Sequence, residues 1–347
     1  MRERLTLGAV AAVTVLAGAL HYGGAGAVPT FLVAGVALGG LAWAIGIGTE
    51  VVGAHYGPAV TGVLQSTLGN LPELFVVLFA LSAGEVVVAQ FSILGSLFAN
   101  ALLVLGLVIV TGSTVGEGRV MRFGARLPND TATLLLMAVF IIVVLGLSDQ
   151  VGDRASHHAV TISVIGAVCL LLVYGAWLWS YLRTPAAEDA PQTAPAHPLA
   201  FGIGILAVAG AGAAFVSDWF VTALDPAVRA LGISKTFTGL VIVAIAGNAV
   251  ENIVGVSMAR KGRSELAVSL VKNSVAQIAV FLFPLLVLLS LFFDPSLTFV
   301  VAPIWIGALT ITALAVWQIT GDGEAALFEG LALVSLYVIL ATVAFYE

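Results

Sequence analysis

Two short motifs in this 347-residue chain set an amide and a carboxylate one helical turn apart. Gly69-Asn70-Leu71-Pro72-Glu73 and Gly247-Asn248-Ala249-Val250-Glu251 share the pattern Gly-Asn-x-x-Glu at an offset of 178. Residues three apart share a helix face, so Asn70 projects with Glu73 and Asn248 with Glu251. Amide and carboxylate oxygens are hard ligands that suit Ca²⁺, Mg²⁺, Mn²⁺ or Na⁺ rather than copper or zinc. Carboxylates also take protons, so one oxygen set can hold a metal cation or hydrogen ions in turn. Glu73 and Glu251 are the expected metal ligands. Gly69 and Gly247 remove bulk where helices cross. Pro72 has no amide N–H, so within a continuous helix it would free the carbonyl of Leu68 for a cation. At membrane depth a freed carbonyl is tolerated where it faces protein or a polar cavity. The second motif has no proline, so that ligand would belong to one half alone.

A second polar set follows each motif. Ser92, Ser96 and Asn100 are spaced i, i+4, i+8 and line one helix face. At an offset of 177 they align with Ser269, Asn273 and Gln277, which sets Lys272 where the first copy has Gly95. Ser96, Asn100, Asn273 and Gln277 are read as completing a cation shell or a proton and water path, with Gln65 extending it. Lys272 is discordant, because a lysine inside a membrane must pair, neutralise or snorkel. Facing the site, it would offset one carboxylate and favour a monovalent ion.

These residues need elements to hold them, and the composition says which kind. Apolar residues make up 60% of the chain and charged residues 9%, against about 45–50% and about 25% in soluble proteins. That balance excludes a soluble enzyme, a nucleic-acid binder and a disordered chain. Apolar runs near the length of a membrane span recur, and the short alternating segments of a β-barrel are absent. The expected fold is an all-α polytopic membrane protein of eleven spans: 5–21, 28–48, 58–82, 86–113, 130–148, 158–182, 199–222, 236–259, 264–292, 299–318 and 324–345. Arg2 and Arg4 before an apolar stretch ending Ala25-Gly26-Ala27 also suit a cleaved signal peptide; retained, the segment is a short first span. Glu73 and Glu251 then fall in mid-span, where an ionisable group is costly and by default functional.

With the N-terminus inside and the C-terminus outside, nine basic residues lie on the inner side: Arg2, Arg4, Arg119, Arg122, Arg126, Arg183, Arg260, Lys261 and Arg263. The outer side holds three, Arg154, Arg229 and Lys235, the bias expected when basic loops stay in the cytoplasm. The hydrophilic break at 183–198 reads as a cytoplasmic linker. It divides a first span at 1–27 and a five-helix repeat at 28–182 from a second five-helix repeat at 199–347. Five is odd, so the second copy enters the membrane from the opposite side. Inverted repeats of this kind occur in secondary transporters, with ion sites near the midplane at the repeat interface. No phosphate-binding loop, nucleophile–base constellation or spaced histidine pair is present in the sequence, so neither enzyme nor cofactor is expected. The single cysteine, Cys169, is read as a small buried apolar residue.

On these residues the sequence resembles the cation/proton exchanger (CAX) branch of the Ca²⁺/cation antiporter superfamily. The likeness runs from about Gly48 to the C-terminus. GNLPEL at 69–74 and GNAVEN at 247–252 carry the signature. GTEVVGAHYGPAVTGVLQSTLGN (48–70) and SILGSLFANALLVLGL (92–107) look like the family's first repeat. LGISKTFTGLVIVAIAGNAVEN (231–252), SVAQIAVFLFPLLVL (274–288) and the tail DGEAALFEGLALVSLY (322–337) look like its second. The resemblance implies one span plus two inverted five-span repeats, and exchange of Ca²⁺ or a similar cation for protons across the cytoplasmic membrane. It also implies that Glu73 and Glu251 are the central ligands and that Asn70, Asn248, Asn100 and Gln277 line the site. Three features depart from the family pattern: Asn252 where histidine is common, Lys272-Asn273-Ser274 in place of a small Gly-Ser run, and a linker with no long acidic helix.

Two protons or one divalent ion neutralise the same two carboxylates, which predicts exchange of one for the other. The alternatives are a monovalent cation (Na⁺ or K⁺)/H⁺ antiporter, a Na⁺/Ca²⁺ exchanger, a passive channel on the same site, or an intramembrane enzyme.

Overall fold

In an apolar solvent each backbone N–H and C=O must find its partner within the segment, so the apolar runs fold as helices. The structure, a computed structural model, describes residues 2–56, 68–183 and 197–347. The side chains of 2–4, 117, 181–183, 250 and 251 are outside that description. The first half of the expected span 58–82, with Gln65, and most of the linker 183–198 also lie outside the described residues.

The elements in chain order are α1 (Arg2–Tyr22), α2 (Ala27–Tyr56), α3 (Leu71–Ser82), α4 (Val86–Val115), β1 (Val120–Arg122), α5 (Arg126–Val151) and α6 (Ala159–Arg183). They continue with α7 (Leu199–Leu231), α8 (Lys235–Gly247), α9 (Ala249–Arg260), α10 (Ser264–Phe292), α11 (Pro303–Thr320), β2 (Glu324–Ala326) and α12 (Leu327–Tyr346). Among the described residues nine helices are long and apolar enough to cross a membrane. A tenth crossing forms if α8 and α9, bent by 57°, count as one. α3 is apolar but shorter. The expected spans three and eight are therefore not continuous helices; each is interrupted at its Gly-Asn.

The packing partners repeat between the halves. α2 lies along α7, and α5 along α11. α3 packs on α7 as α9 packs on α2; α3 on α4 as α9 on α10; α12 on α4 as α6 on α10. α1 packs on α2 and α7. Lipid tails are as apolar as leucine, so close packing rather than water exclusion holds such helices together. Small residues set the closest approaches. A Cβ on Gly95 would stand 2.5 Å from the backbone of Leu240, and one on Gly239 would stand 2.9 Å from the backbone of Ser92. α4 and α8 thus touch backbone to backbone. α4 and α12 do the same, where a Cβ on Gly106 would meet the Gly330 carbonyl at 2.7 Å. Phe31 stacks on Phe220 at 4.5 Å to fill the α2–α7 seam. Cys169 is exposed on the surface of α6, not buried.

The hairpins α3–α4 and α9–α10 share one backbone. Gly84 and Gly262 have φ of +76° and +72°, a region glycine enters freely. Glu85 (φ −87°, ψ 56°) matches Arg263 (φ −88°, ψ 60°). The bonds Gly84 N to Leu81 O and Glu85 N to Ala80 O recur as Gly262 N to Ala259 O and Arg263 N to Met258 O. Every pair is offset by 178. The charges differ: the first hairpin ends in Glu85, the second carries Arg260, Lys261 and Arg263.

The two hairpins lie on opposite faces. Glu85 opens α4, whose 30 residues span about 45 Å. Beyond its far end β1 pairs antiparallel with β2, Val120 opposite Ala326. Gly124, two residues past β1, donates its N–H to Oε2 of Glu265, two residues past Arg263.

Candidate cation-binding site

Asn70 (φ −88°, ψ 9°) and Asn248 (φ −101°, ψ 24°) leave helical geometry at equivalent points. Each still starts the next helix with its carbonyl, which accepts from Leu74 N at 2.9 Å and Asn252 N at 3.1 Å respectively. Neither side chain caps that helix, and that of Asn248 bonds across to α4 instead. Glu73 and Glu251 fall in the first turns of α3 and α9, at the helix ends whose dipoles favour negative charge. Pro72 also sits in the first turn of α3. There its missing N–H removes no bond from a continuous ladder, so the expectation that Pro72 opens a mid-helix carbonyl at Leu68 is corrected. The Gly69-Asn70 break, not the proline, interrupts the span.

The two motifs meet. Glu73 is 1% exposed, and its Cβ is 3.7 Å from the place a Cβ on Gly247 would take. Asn248, also 1% exposed, donates through Nδ2 to Ser96 Oγ at 2.8 Å and to the Ala244 carbonyl at 2.8 Å. Its Oδ1 accepts from Asn100 Nδ2 at 2.6 Å, and Asn100 Nδ2 also donates to the Ser96 carbonyl at 3.1 Å. Ser96, Asn100 and Asn248 therefore form one closed network between the halves. Asn100 sits in a π-helical turn, Ala99–Val104, which re-aims side chains within α4. With its amide engaged, Asn100 keeps Oδ1 buried with no partner among the described residues. Asn70 is buried; Leu68, Gly69 and Gly247 flank the two breaks. Glu251 is the third residue of α9, one turn past Asn248, and its side chain is outside the description.

On α10 the structure changes the register of the repeat. α4 from Val86 to Phe98 and α10 from Ser264 to Gln277 are uninterrupted α-helix, so the offset of 178 fixed at the hairpins persists. Ser274 then matches Ser96, Asn273 matches Gly95, and Lys272 matches Leu94; the 177 alignment is corrected. Lys272 is 1% exposed, and Nζ donates to Thr320 Oγ1 at 3.2 Å. Thr320 ends α11, where helix carbonyls favour a cation. Lys272 thus reaches for a helix terminus and joins no bond of the Ser96–Asn248 network. Gln277 is buried before a second π turn, Ile278–Leu282.

Three oxygens of α9 and α10 are buried without a partner among the described residues: Asn252 Oδ1, Asn273 Oδ1 and Ser274 Oγ. Sequence reading did not single out Ser274, because the 177 register hid its match to Ser96. It also missed Trp305, fully buried on α11 with its ring 5.2 Å from Phe91 and 6.3 Å from Phe98. No group of three or more His, Cys, Asp or Glu gathers among the described residues. Any cation there would rely on amide and hydroxyl oxygens beside the glutamates.

Fold and site together define a polytopic helical membrane protein in which two interrupted helices meet at a buried cluster of polar side chains. The chain belongs to the sodium/calcium exchanger protein family, whose pattern it matches over residues 26–182 and 201–346. It is 30% identical to the Ca²⁺/H⁺ antiporter of Synechocystis sp., over 95% of this chain and 94% of that one. It is 31% identical to the Ca²⁺/H⁺ antiporter ChaA of Bacillus subtilis, over 87% of each. The crystal structure of the selenium-substituted Ca²⁺/H⁺ antiporter protein YfkE aligns with a TM-score of 0.80 at 28% identity, covering 99% of this chain and 100% of that one. The resemblance read from the paired motifs is borne out.

Proposed function

We propose that this protein is a secondary antiporter that exchanges Ca²⁺, or a similar divalent cation, for H⁺ across the cytoplasmic membrane by alternating access. The observation that carries this reading is the meeting of the two motifs. Glu73 of the first half lies against Gly247 of the second, and Asn248 is hydrogen-bonded to Ser96 and Asn100. The similarity over nearly full length to proteins named Ca²⁺/H⁺ antiporters supports the choice of ions.

The chain is arranged as α1 plus two inverted repeats of five crossings, eleven in all. The repeated packing partners, the matched hairpins on opposite faces and the two matched breaks support that layout. The basic hairpin at Arg260–Arg263 and the loop at Arg119–Arg126 face the cytoplasm, with α12 ending outside. Residues 1–27 are the extra span and 183–198 the cytoplasmic linker.

In this mechanism Glu73 and Glu251 are the shared cation and proton ligands. Asn70, Asn100, Gln277 and Ser274 contribute neutral oxygens, and Asn248 and Ser96 hold Asn100 in place. Two carboxylates left empty and charged are too costly to carry through apolar surroundings. The protein therefore changes face only when loaded, with one divalent ion or with protons, and the fluxes are coupled. Lys272, held at Thr320, leaves both carboxylate charges for the ion, which favours a divalent over a monovalent substrate.

The test uses proteoliposomes with a pH-sensitive dye and an imposed proton gradient, to which Ca²⁺, Mn²⁺, Mg²⁺, Na⁺ or K⁺ is added singly. The expected result is dye recovery with Ca²⁺ or Mn²⁺ that is lost in Glu251→Gln. Recovery with Na⁺ or K⁺ alone overturns the divalent assignment. Dissipation of the gradient with no added cation makes the protein a channel.

A further inference from the structure

Four charges from three elements form one connected set on the face opposite β1. Lys235 Nζ, at the start of α8, lies 2.8 Å from Oε1 and 2.7 Å from Oε2 of Glu85, at the start of α4. It also lies 3.1 Å from Oδ1 of Asp225 on α7. Asp225 Oδ2 in turn holds Arg229 Nη2, one turn further along α7, at 2.8 Å.

The three ion pairs are mechanically different. Glu85–Lys235 joins α4 to α8, whose backbones touch at Gly95 and Gly239, so those two helices cannot slide apart without opening that crossing. Asp225–Arg229 lies within one helix. Lys235–Asp225 alone of the three connects α7 to the α4–α8 pair. α7 is seated along α2, with Leu206 and the Gly202 carbonyl over Gly48 and Leu41 over Gly212. It also packs on α3, where Leu71 approaches Gly210 at 3.8 Å.

Breaking Lys235–Asp225 leaves two complete pairs, Glu85 with Lys235 and Asp225 with Arg229. No charge is stranded, which is what makes breaking most buried ion pairs so unfavourable. A link of this kind can open and close repeatedly at little cost.

We propose that Lys235–Asp225 is a reversible latch. Closed, it holds α7 against the α4–α8 pair and shuts the approach to the Ser96–Asn248 cluster from this face. Open, it lets α7 and α2 move away together. The latch rests on the antiport reading, in which the site opens to one face at a time.

Ser217 supplies the reporter. It lies on α7 two turns inward of Asp225, is 0% exposed, and its hydroxyl has no partner among the described residues, so Ser217→Cys removes no hydrogen bond. In a Cys169→Ser, Ser217→Cys background, a charged, membrane-impermeant methanethiosulfonate is added from the Lys235 side of oriented vesicles. Asp225→Asn should raise the labelling rate about two- to fivefold, the shift that losing a partly exposed ion pair gives. Asp225→Glu, which keeps the pair, and Arg229→Gln, which leaves the latch intact, should label at the parent rate. High salt should speed labelling of the parent and leave Asp225→Asn unchanged, because salt screens the pair only where it exists. Equal rates for Asp225→Asn and the parent, or an equal rise in Arg229→Gln, overturn the latch. Labelling needs no ion gradient, so a latch that responds in a protein without Ca²⁺/H⁺ flux would sink the antiport reading alone. Intact flux with flat labelling would sink the latch alone.

Discussion

The polar residues around Ser96 and those around Ser274 occupy equivalent places and are finished differently. Ser96 accepts from Asn248, Asn248 accepts from Asn100, and the amide protons of both asparagines are spoken for. At the matching position Ser274 Oγ is buried without a partner among the described residues, as are Asn273 Oδ1 beside it in sequence and Asn252 Oδ1 on α9. An unpaired buried oxygen costs about 1–3 kcal/mol. The Ser96 side leaves one such oxygen, Asn100 Oδ1, beside its closed network, whereas the Ser274 side has no hydrogen bond of that kind among the described residues. Under the proposed function, the Ser96 side acts as a frame that fixes geometry, and Asn100 Oδ1 and the Ser274 side are the neutral oxygens open to the ion.

The largest expected effect tests what both sides serve. Glu73→Gln should abolish cation-driven proton flux in the dye assay, while the protein still elutes as a monodisperse peak and keeps its helical circular dichroism. Retained flux would remove Glu73 from the site. Next in size is the frame itself. Asn248→Ala strands Ser96 and Asn100 and should lower unfolding stability in detergent by about 2–4 kcal/mol, the sum of two or three buried bonds. Gly95→Ala forces a methyl against the Leu240 backbone and should destabilise by about 1–3 kcal/mol. Gly247→Ala, whose methyl would meet Glu73 at 3.7 Å, should fold normally; equal losses in the two would refute the backbone crossing. The smallest effect sharpens the contrast most. Ser274→Ala should change unfolding stability by less than about 0.5 kcal/mol yet raise the Ca²⁺ concentration for half-maximal exchange. Ser96→Ala should destabilise by about 1–2 kcal/mol because it leaves an Asn248 N–H unpaired. Identical thermal shifts for the two serines would erase the distinction between frame and open side.

Much of this was legible in the residues. Apolar runs mark the helices, and Gly-Asn-x-x-Glu at an offset of 178 marks the two segments that meet. The break inside each motif was not legible, because both motifs lie within apolar runs long enough to read as continuous spans. Three further things were not legible, each for a physical reason. Polar spacing alone does not fix helix register: Ser92, Ser96 and Asn100 align with a second set at 177 as readily as Ser96 aligns with Ser274 at 178, and the hairpin bonds decide it. Lys272 has a reach comparable with the width of a helix, so its position says little about where Nζ ends; the α11 terminus takes it. The Glu85–Lys235–Asp225 set joins residues 150 apart in sequence, and each charge, read singly, is an ordinary loop residue.

The matched hairpins bear on how the protein reaches its membrane. Their shared geometry asks for a glycine at 84 and at 262 and is indifferent to the charge that follows, since Glu85 and Arg263 adopt the same φ and ψ. Those following positions are therefore open to a different reader, the insertion machinery that retains basic loops on the cytoplasmic side. Biogenesis and folding draw on separate letters of the same short turn. A duplicated half can be sent through the membrane in the opposite sense by changing a few loop charges, with no residue of the packed interior altered.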